Sequence, residues 1–122
     1  MSDNPIRLEV AFKDEESAER VREILEAAQQ WIFSEPAEER YLGEYIAQEN
    51  EASAVQFSSY WVPSGDIQRS CATLQFECVG SPGDDWPDDI VVWLGKQKAV
   101  TVKGSLTISG TGDVVEIHEV YQ

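Results

Sequence analysis

The sequence predicts an α+β domain, a two-layer sandwich. Its sheet has about five mainly antiparallel strands, with two or three helices on one face. Three observations predict this. Each β-type segment alternates apolar and polar residues, the mark of a strand with one covered and one wet face, and such strands favour antiparallel pairing. One long segment repeats its apolar residues at helical spacing. The elements run in the order β-α-α-β-β-α-β-β, and the helices must bury their stripes against the apolar side of the sheet.

Ile6 to Phe12 is the first expected strand, with Ile6, Leu8, Val10 and Phe12 on one parity and Arg7 and Glu9 on the other. Asp14 is placed to cap a helix whose positive N-terminal end suits Glu15 and Glu16. Through about Phe33, Ala18, Val21, Ile24, Leu25, Ala28, Trp31 and Ile32 trace one helical stripe. Glu16 with Arg20 and Arg22 with Glu26 stand four apart, the spacing of intrahelical ion pairs. Ser34-Glu35-Pro36 restarts the chain. A second helix is expected over 36–48, with Tyr41, Leu42, Tyr45 and Ile46 inward, Glu38, Glu39 and Glu44 outward, and Gly43 weakening it.

The second half is β-rich. Ala54 to Val62 is a strand with Trp61 inward and Tyr60 outward. Pro63-Ser64-Gly65-Asp66 reads as a turn, and residues 63–69 as the hairpin connection. Ser70 to Val79 follows, with Ala72, Leu74, Phe76 and Cys78 on its apolar parity. After a loop over 80–85, Pro87 to Gln97 is a short helix closed by Gly95. The last hairpin joins a strand around Val100 to Ile108, with Gly104 as a bulge or bend, to Val114–Tyr121 through Gly110-Thr111-Gly112-Asp113.

The chain of 122 residues is read as a single domain over 1–122, with no repeat and no linker composition. No apolar run approaches the roughly 18 residues of a membrane span. Met1-Ser2-Asp3-Asn4-Pro5 does not open a secretory signal, so a cytoplasmic location is expected.

Charge is the dominant feature: 23 acids against nine bases, a net of −14, with 14 of the acids in residues 1–51. Such a chain repels nucleic acid and anionic membranes and attracts basic surfaces.

Cys71 and Cys78, on opposite parities of one expected strand, would lie about 23 Å apart. A disulfide needs Cα atoms within about 7 Å, so the two are expected to be free, one in the core and one at the surface.

Few residues point to chemistry. His118 is the only histidine, on the parity of Val114, Glu116 and Val120. No nucleophile elbow, phosphate loop, dinucleotide fingerprint or Cys-x-x-Cys occurs. Gly80-Ser81-Pro82-Gly83 has no lysine and is followed by aspartates. The reading is therefore not an enzyme, with no cofactor and no metal. Asp84, Asp85, Asp88 and Asp89 bring four carboxylates within six residues, a composition suited to calcium or magnesium. Their spacing does not match an EF-hand, and the N-terminus of the short helix accounts for them more simply. Trp86 stands among these acids without an apolar neighbour, in the manner of an interface anchor ringed by selective charge; the competing reading folds it back over the core.

The functional expectation is an acidic domain that docks on a basic surface of a partner protein, such as a nucleic-acid-binding protein. Direct contact with nucleic acid or membrane is not expected. The candidate docking residues are Trp86, Asp84, Asp85, Asp88, Asp89, Glu35, Glu38, Glu39, Glu44 and Tyr60. In a sharper form, rows of carboxylates mimic the phosphates of nucleic acid. In size and charge, not in sequence, the chain is similar to toxin-immunity proteins and phage-encoded inhibitors of host defence, which implies an inhibitory role. Two alternatives are a small-molecule or enzymatic module with a pocket between sheet and helices, using Glu116, His118 or a tyrosine, and an assembly subunit pairing through its last strand.

Overall fold

A computed structural model describes residues 4–34, 40–49, 60–81 and 88–121, and every structural statement below concerns those residues. The elements are β1 (Asn4–Phe12), α1 (Glu15–Phe33), α2 (Leu42–Glu49), β2 (Tyr60–Ser70), β3 (Thr73–Ser81), α3 (Asp88–Lys96), β4 (Ala99–Thr107) and β5 (Val114–Val120). The expected order β-α-α-β-β-α-β-β holds. The strands form one five-stranded sheet ordered β2-β3-β1-β4-β5, antiparallel at every pairing.

β1 is central because its alternation is the cleanest. Ile6, Leu8, Val10 and Phe12 are buried, and they pair in register with the buried residues of both neighbours: Ile6 with Cys78 and Leu106, Val10 with Leu74 and Val102. α1 starts where Asp14 accepts a hydrogen bond from the Ser17 backbone N–H at 2.8 Å. It buries Ala18, Val21, Leu25, Ala28 and Ile32 across β1, β2 and β3. α2 packs on α1 and β2, and α3 on β4. Trp61 and Trp93 join Leu25, Leu74, Ile90 and Leu106 as fully buried side chains, filling the space between the layers. At about 1.5–3 kcal/mol for each large apolar side chain, this one layer of contact dominates stability.

Several expectations of local structure are corrected. The hairpin between β2 and β3 does not turn at 63–69. Gln68, Arg69 and Ser70 pair with Gln75, Leu74 and Thr73, and the chain reverses over Cys71-Ala72. Pro63-Ser64-Gly65-Asp66 lies within β2, where the register shifts between Ser64 and Gln68. β2 tolerates proline because it is an edge strand. Cys71 therefore occupies a turn with φ +52°, not a strand; it is exposed while Cys78 is buried, and both thiols are free.

Gly104 is not a bulge. Its pairings with Leu8 and Ile117 are in register, and a Cβ there would lie 1.9 Å from the Arg7 carbonyl oxygen, so its role is close approach of two backbones. The bulge in this pairing falls between Ala11 and Phe12.

Gly95 does not close α3 either. It lies inside the helix, against the Tyr121 ring, and Lys98 takes the left-handed conformation beyond the helix end at φ +69°. α2 starts at Leu42, with Arg40 and Tyr41 outside it, while 36–39 of the expected helix lie outside the described residues. The same holds for 54–59 of the expected strand.

The expected pair of Glu16 with Arg20 does not form among the described residues. The expected pair of Arg22 with Glu26 forms, Arg22 also bridges to Glu19, and Arg69 reaches Glu19 from β2 at 3.0 Å.

Candidate functional site

Two surfaces result from this architecture: the outer side of the helical layer and the uncovered face of the sheet. The first is acidic. Glu15, Glu16 and Glu23 on α1, Glu44 on α2 and Asp88 at the start of α3 are exposed and have no ion pair among the described residues.

At the C-terminal end of α1 this layer becomes aromatic. The Arg40 guanidinium lies 4.7 Å over the Trp31 ring and donates to the Trp31 carbonyl at 2.9 Å, fastening the approach to α2 onto the end of α1. Tyr45 tilts against Trp31 at 5.9 Å between ring centroids. Tyr41 stacks on Tyr60 at 4.3 Å. Tyr60 remains 51% exposed despite this stack, and Phe33, the last residue of α1, is 68% exposed. Trp31, Tyr45, Tyr41 and Tyr60 thus form an aromatic ledge where α1, α2 and the start of β2 meet, and Phe33 is exposed at the end of α1. Sequence reasoning selected Tyr60 and Glu44 but not Phe33 or Tyr41. The signal for Phe33 was its place at the end of the α1 stripe, one step off the buried side at Ile32.

The expected docking residues divide accordingly. Glu44, Asp88 and Tyr60 are exposed. Asp89 is a correction: it is 4% exposed, and its Oδ1 accepts from the Trp61 indole N–H at 3.1 Å and from the Ile90 backbone N–H at 2.7 Å. A carboxylate enclosed in this way fixes α3 to β2 and is not presented to a partner. Trp86, Asp84, Asp85, Glu35, Glu38 and Glu39 lie outside the described residues. No group of three metal-ligating side chains occurs among the described residues.

The uncovered sheet face is polar and nearly balanced in charge. Gln68, Gln75, Glu9, Lys103 and His118 form one row across all five strands, and Ser64, Glu77, Arg7, Ser105 and Glu116 form the next. Arg7 pairs with Glu77 at 2.7 Å. A shallow concavity of about 630 Å³ runs over the middle of these rows, and Asp66 and Gln68 of β2 form one of its walls. It lies on the side away from the helices, not between sheet and helices. His118 is exposed on β5, opposite Lys103, and has no hydrogen-bond partner among the described residues. Burial pushes the Cys78 thiol well above its ordinary pKa, which leaves it protonated and unreactive.

No described helix is long and apolar enough to cross a membrane. No protein-family profile matches the chain, and no curated protein or solved structure matches it.

Proposed function

We propose that this domain binds a basic surface of a partner protein through the aromatic ledge and the acidic helical layer. The observation that carries the reading is the exposure of Tyr60, stacked on Tyr41, on a molecule whose helical layer presents unpaired carboxylates. Aromatic anchors supply the binding energy of an interface core, and surrounding charge of one sign steers and selects a partner of the other. Tyr41 holds Tyr60 in place before any partner arrives, which reduces the ordering cost of association. A partner whose basic surface normally holds nucleic acid would be inhibited by this occupancy.

The experiment is capture of host proteins on the immobilised chain at low and high salt, followed by measured affinity for the retained protein. Tyr60→Ala is expected to weaken that affinity about thirtyfold, as for an interface anchor. Glu44→Lys is expected to slow association and flatten its salt dependence. Affinity that ignores both salt and Tyr60→Ala would contradict this reading.

A second reading rests on β5. It is an edge strand, and Val114 and Val120 are exposed on its outer parity. Self-assembly through that edge predicts a mass in solution that rises with concentration. Glu116, His118 and Glu119 on the same strand oppose indiscriminate pairing.

A further inference from the structure

The two edges of the sheet are built differently. On β2, Pro63 lacks an N–H, and the register slips between Ser64 and Gln68. Gln29 of α1 also reaches this edge, donating its Nε2 amide to the carbonyls of Pro63 at 3.1 Å and Gly65 at 3.0 Å. Proline, irregular pairing and side-chain cover all blunt an edge against another chain. β5 carries none of the three within its own sequence and pairing. Its seven residues include no proline, glycine or lysine, and they pair with β4 without a register shift. Val114 is 55% and Val120 63% exposed, and Glu116, His118 and Glu119 are exposed as well.

The bonds to β4 fix which backbone groups of β5 are free. The Ile108 N–H donates to the Asp113 carbonyl at 2.8 Å, and the Tyr121 N–H to the Val100 carbonyl at 2.7 Å. An antiparallel ladder alternates, so Val115, Ile117 and Glu119 turn their N–H and C=O groups to β4. Val114, Glu116, His118 and Val120 turn theirs to the edge.

A second copy of β5, related by a twofold axis, can match these edge-facing groups with its own. About the middle of the strand the axis can fall at Glu116, Ile117 or His118. At Glu116 it sets that carboxylate against its own copy. At His118 it sets histidine against histidine and Glu116 against Val120. At Ile117 every residue of the strand gains a partner that suits it: Val114 meets Val120, Glu116 meets His118, Ile117 meets itself, and the stem of Glu119 lies along Val115.

We propose that β5 is a homodimerisation edge, in which two copies pair antiparallel about Ile117 and join their sheets into one. The inference rests on the second reading above and names its partner and register. On the uncovered face, Glu9, Lys103 and His118 of one copy lead into Glu116, Ser105 and Arg7 of the other, so no two acids stand side by side across the seam. The exposed valines cover each other. The charged residues that oppose indiscriminate pairing select this one register, and the twofold contact closes at two copies.

The test is sedimentation equilibrium of the full chain from about 1 µM to about 1 mM, a range that spans the affinities of small interfaces. At about 0.15 M salt, screening within about 8 Å limits the repulsion between two chains of −14. The mass is expected to rise and level at two copies. His118→Pro deletes an N–H that β4 does not use, so the monomer keeps its circular dichroism while the dimer weakens about a hundredfold. Glu116→Lys sets a cation against His118 and is expected to weaken the dimer about tenfold. Adding His118→Glu to it is expected to restore the affinity, because the exchanged charges meet only in the register about Ile117. A monomer at every concentration, a mass that climbs past two copies, or a dimer that ignores both His118→Pro and Glu116→Lys overturns the proposal and the second reading with it. A dimer that His118→Pro abolishes but the double charge exchange does not rescue overturns the register about Ile117 and leaves pairing through β5 standing.

Discussion

Asp89 shows how one residue changes meaning with its surroundings. In sequence it is one of four nearby carboxylates; in the fold it is the acceptor for a fully buried tryptophan. Asp89→Ala should leave the Trp61 N–H unsatisfied and lower stability by about 1–3 kcal/mol in urea unfolding, whereas Asp89→Asn retains an acceptor and should lose less. Glu19 carries a pH dependence. Hydrogen bonding to Arg22, supported by the charges of Arg22 and Arg69, lowers its pKa from 4.5 to about 2. A carboxyl depressed in the folded state contributes its stability above the unfolded pKa and loses it as pH falls through the folded one. The melting temperature should therefore fall between pH 4.5 and about 2, and Glu19→Gln should flatten that part of the profile. A variant profile parallel to the parent's would assign the acid transition to other carboxyls.

Among the elements, the sheet is decided by backbone approach as much as by side-chain pattern. β1 lies at the centre with β4 beside it, and Gly104 is the point at which β4 closes on the Arg7 carbonyl. Gly104→Ala forces the two strands apart or twists them, and should destabilise by about 1–3 kcal/mol. Loss of amide protection in hydrogen exchange should concentrate in β1 and β4. An equal loss across every strand would mean that Gly104 acts through global stability alone. The β2–β3 hairpin teaches the complementary point. Proline, serine, glycine and aspartate at 63–66 have the composition of a turn, yet an edge strand absorbs them as a register irregularity and reverses only at Cys71-Ala72. Turn chemistry read from composition gives way when the flanking residues on both strands have partners. α3 makes the same point at its end, where Lys98 rather than Gly95 takes the left-handed position because Gly95 is needed under the Tyr121 ring.

For the whole molecule, the fold segregates charge. The helical layer holds unpaired carboxylates along α1, α2 and the start of α3. The uncovered sheet face alternates Arg7, Glu9, Glu77, Lys103 and Glu116 so that its charges nearly cancel. A net charge of −14 repels itself in the compact state. Salt screens that repulsion within about 10 Å at 0.1 M. The melting temperature near neutral pH should accordingly rise by a few degrees between low and moderate sodium chloride, since about 1 kcal/mol moves a domain of this size by roughly 4 °C. A falling melting temperature would instead mean that ion pairs such as Arg22 with Glu19 and Glu26 outweigh the repulsion.

Period and composition by themselves determined the class of fold, the order of its elements, the inward residues of β1, α1 and β3, and the acidity of the surface. These are local properties: alternation at two residues and recurrence at 3.6 record which side of each element meets the core. Strand order, the true position of the β2–β3 turn, the burial of Asp89 and the stacking of Tyr41 on Tyr60 were decided only by the tertiary structure. Each depends on residues distant in sequence meeting in space, and a carboxylate carries no sign in the chain itself of whether its partner will be water or a tryptophan from another strand.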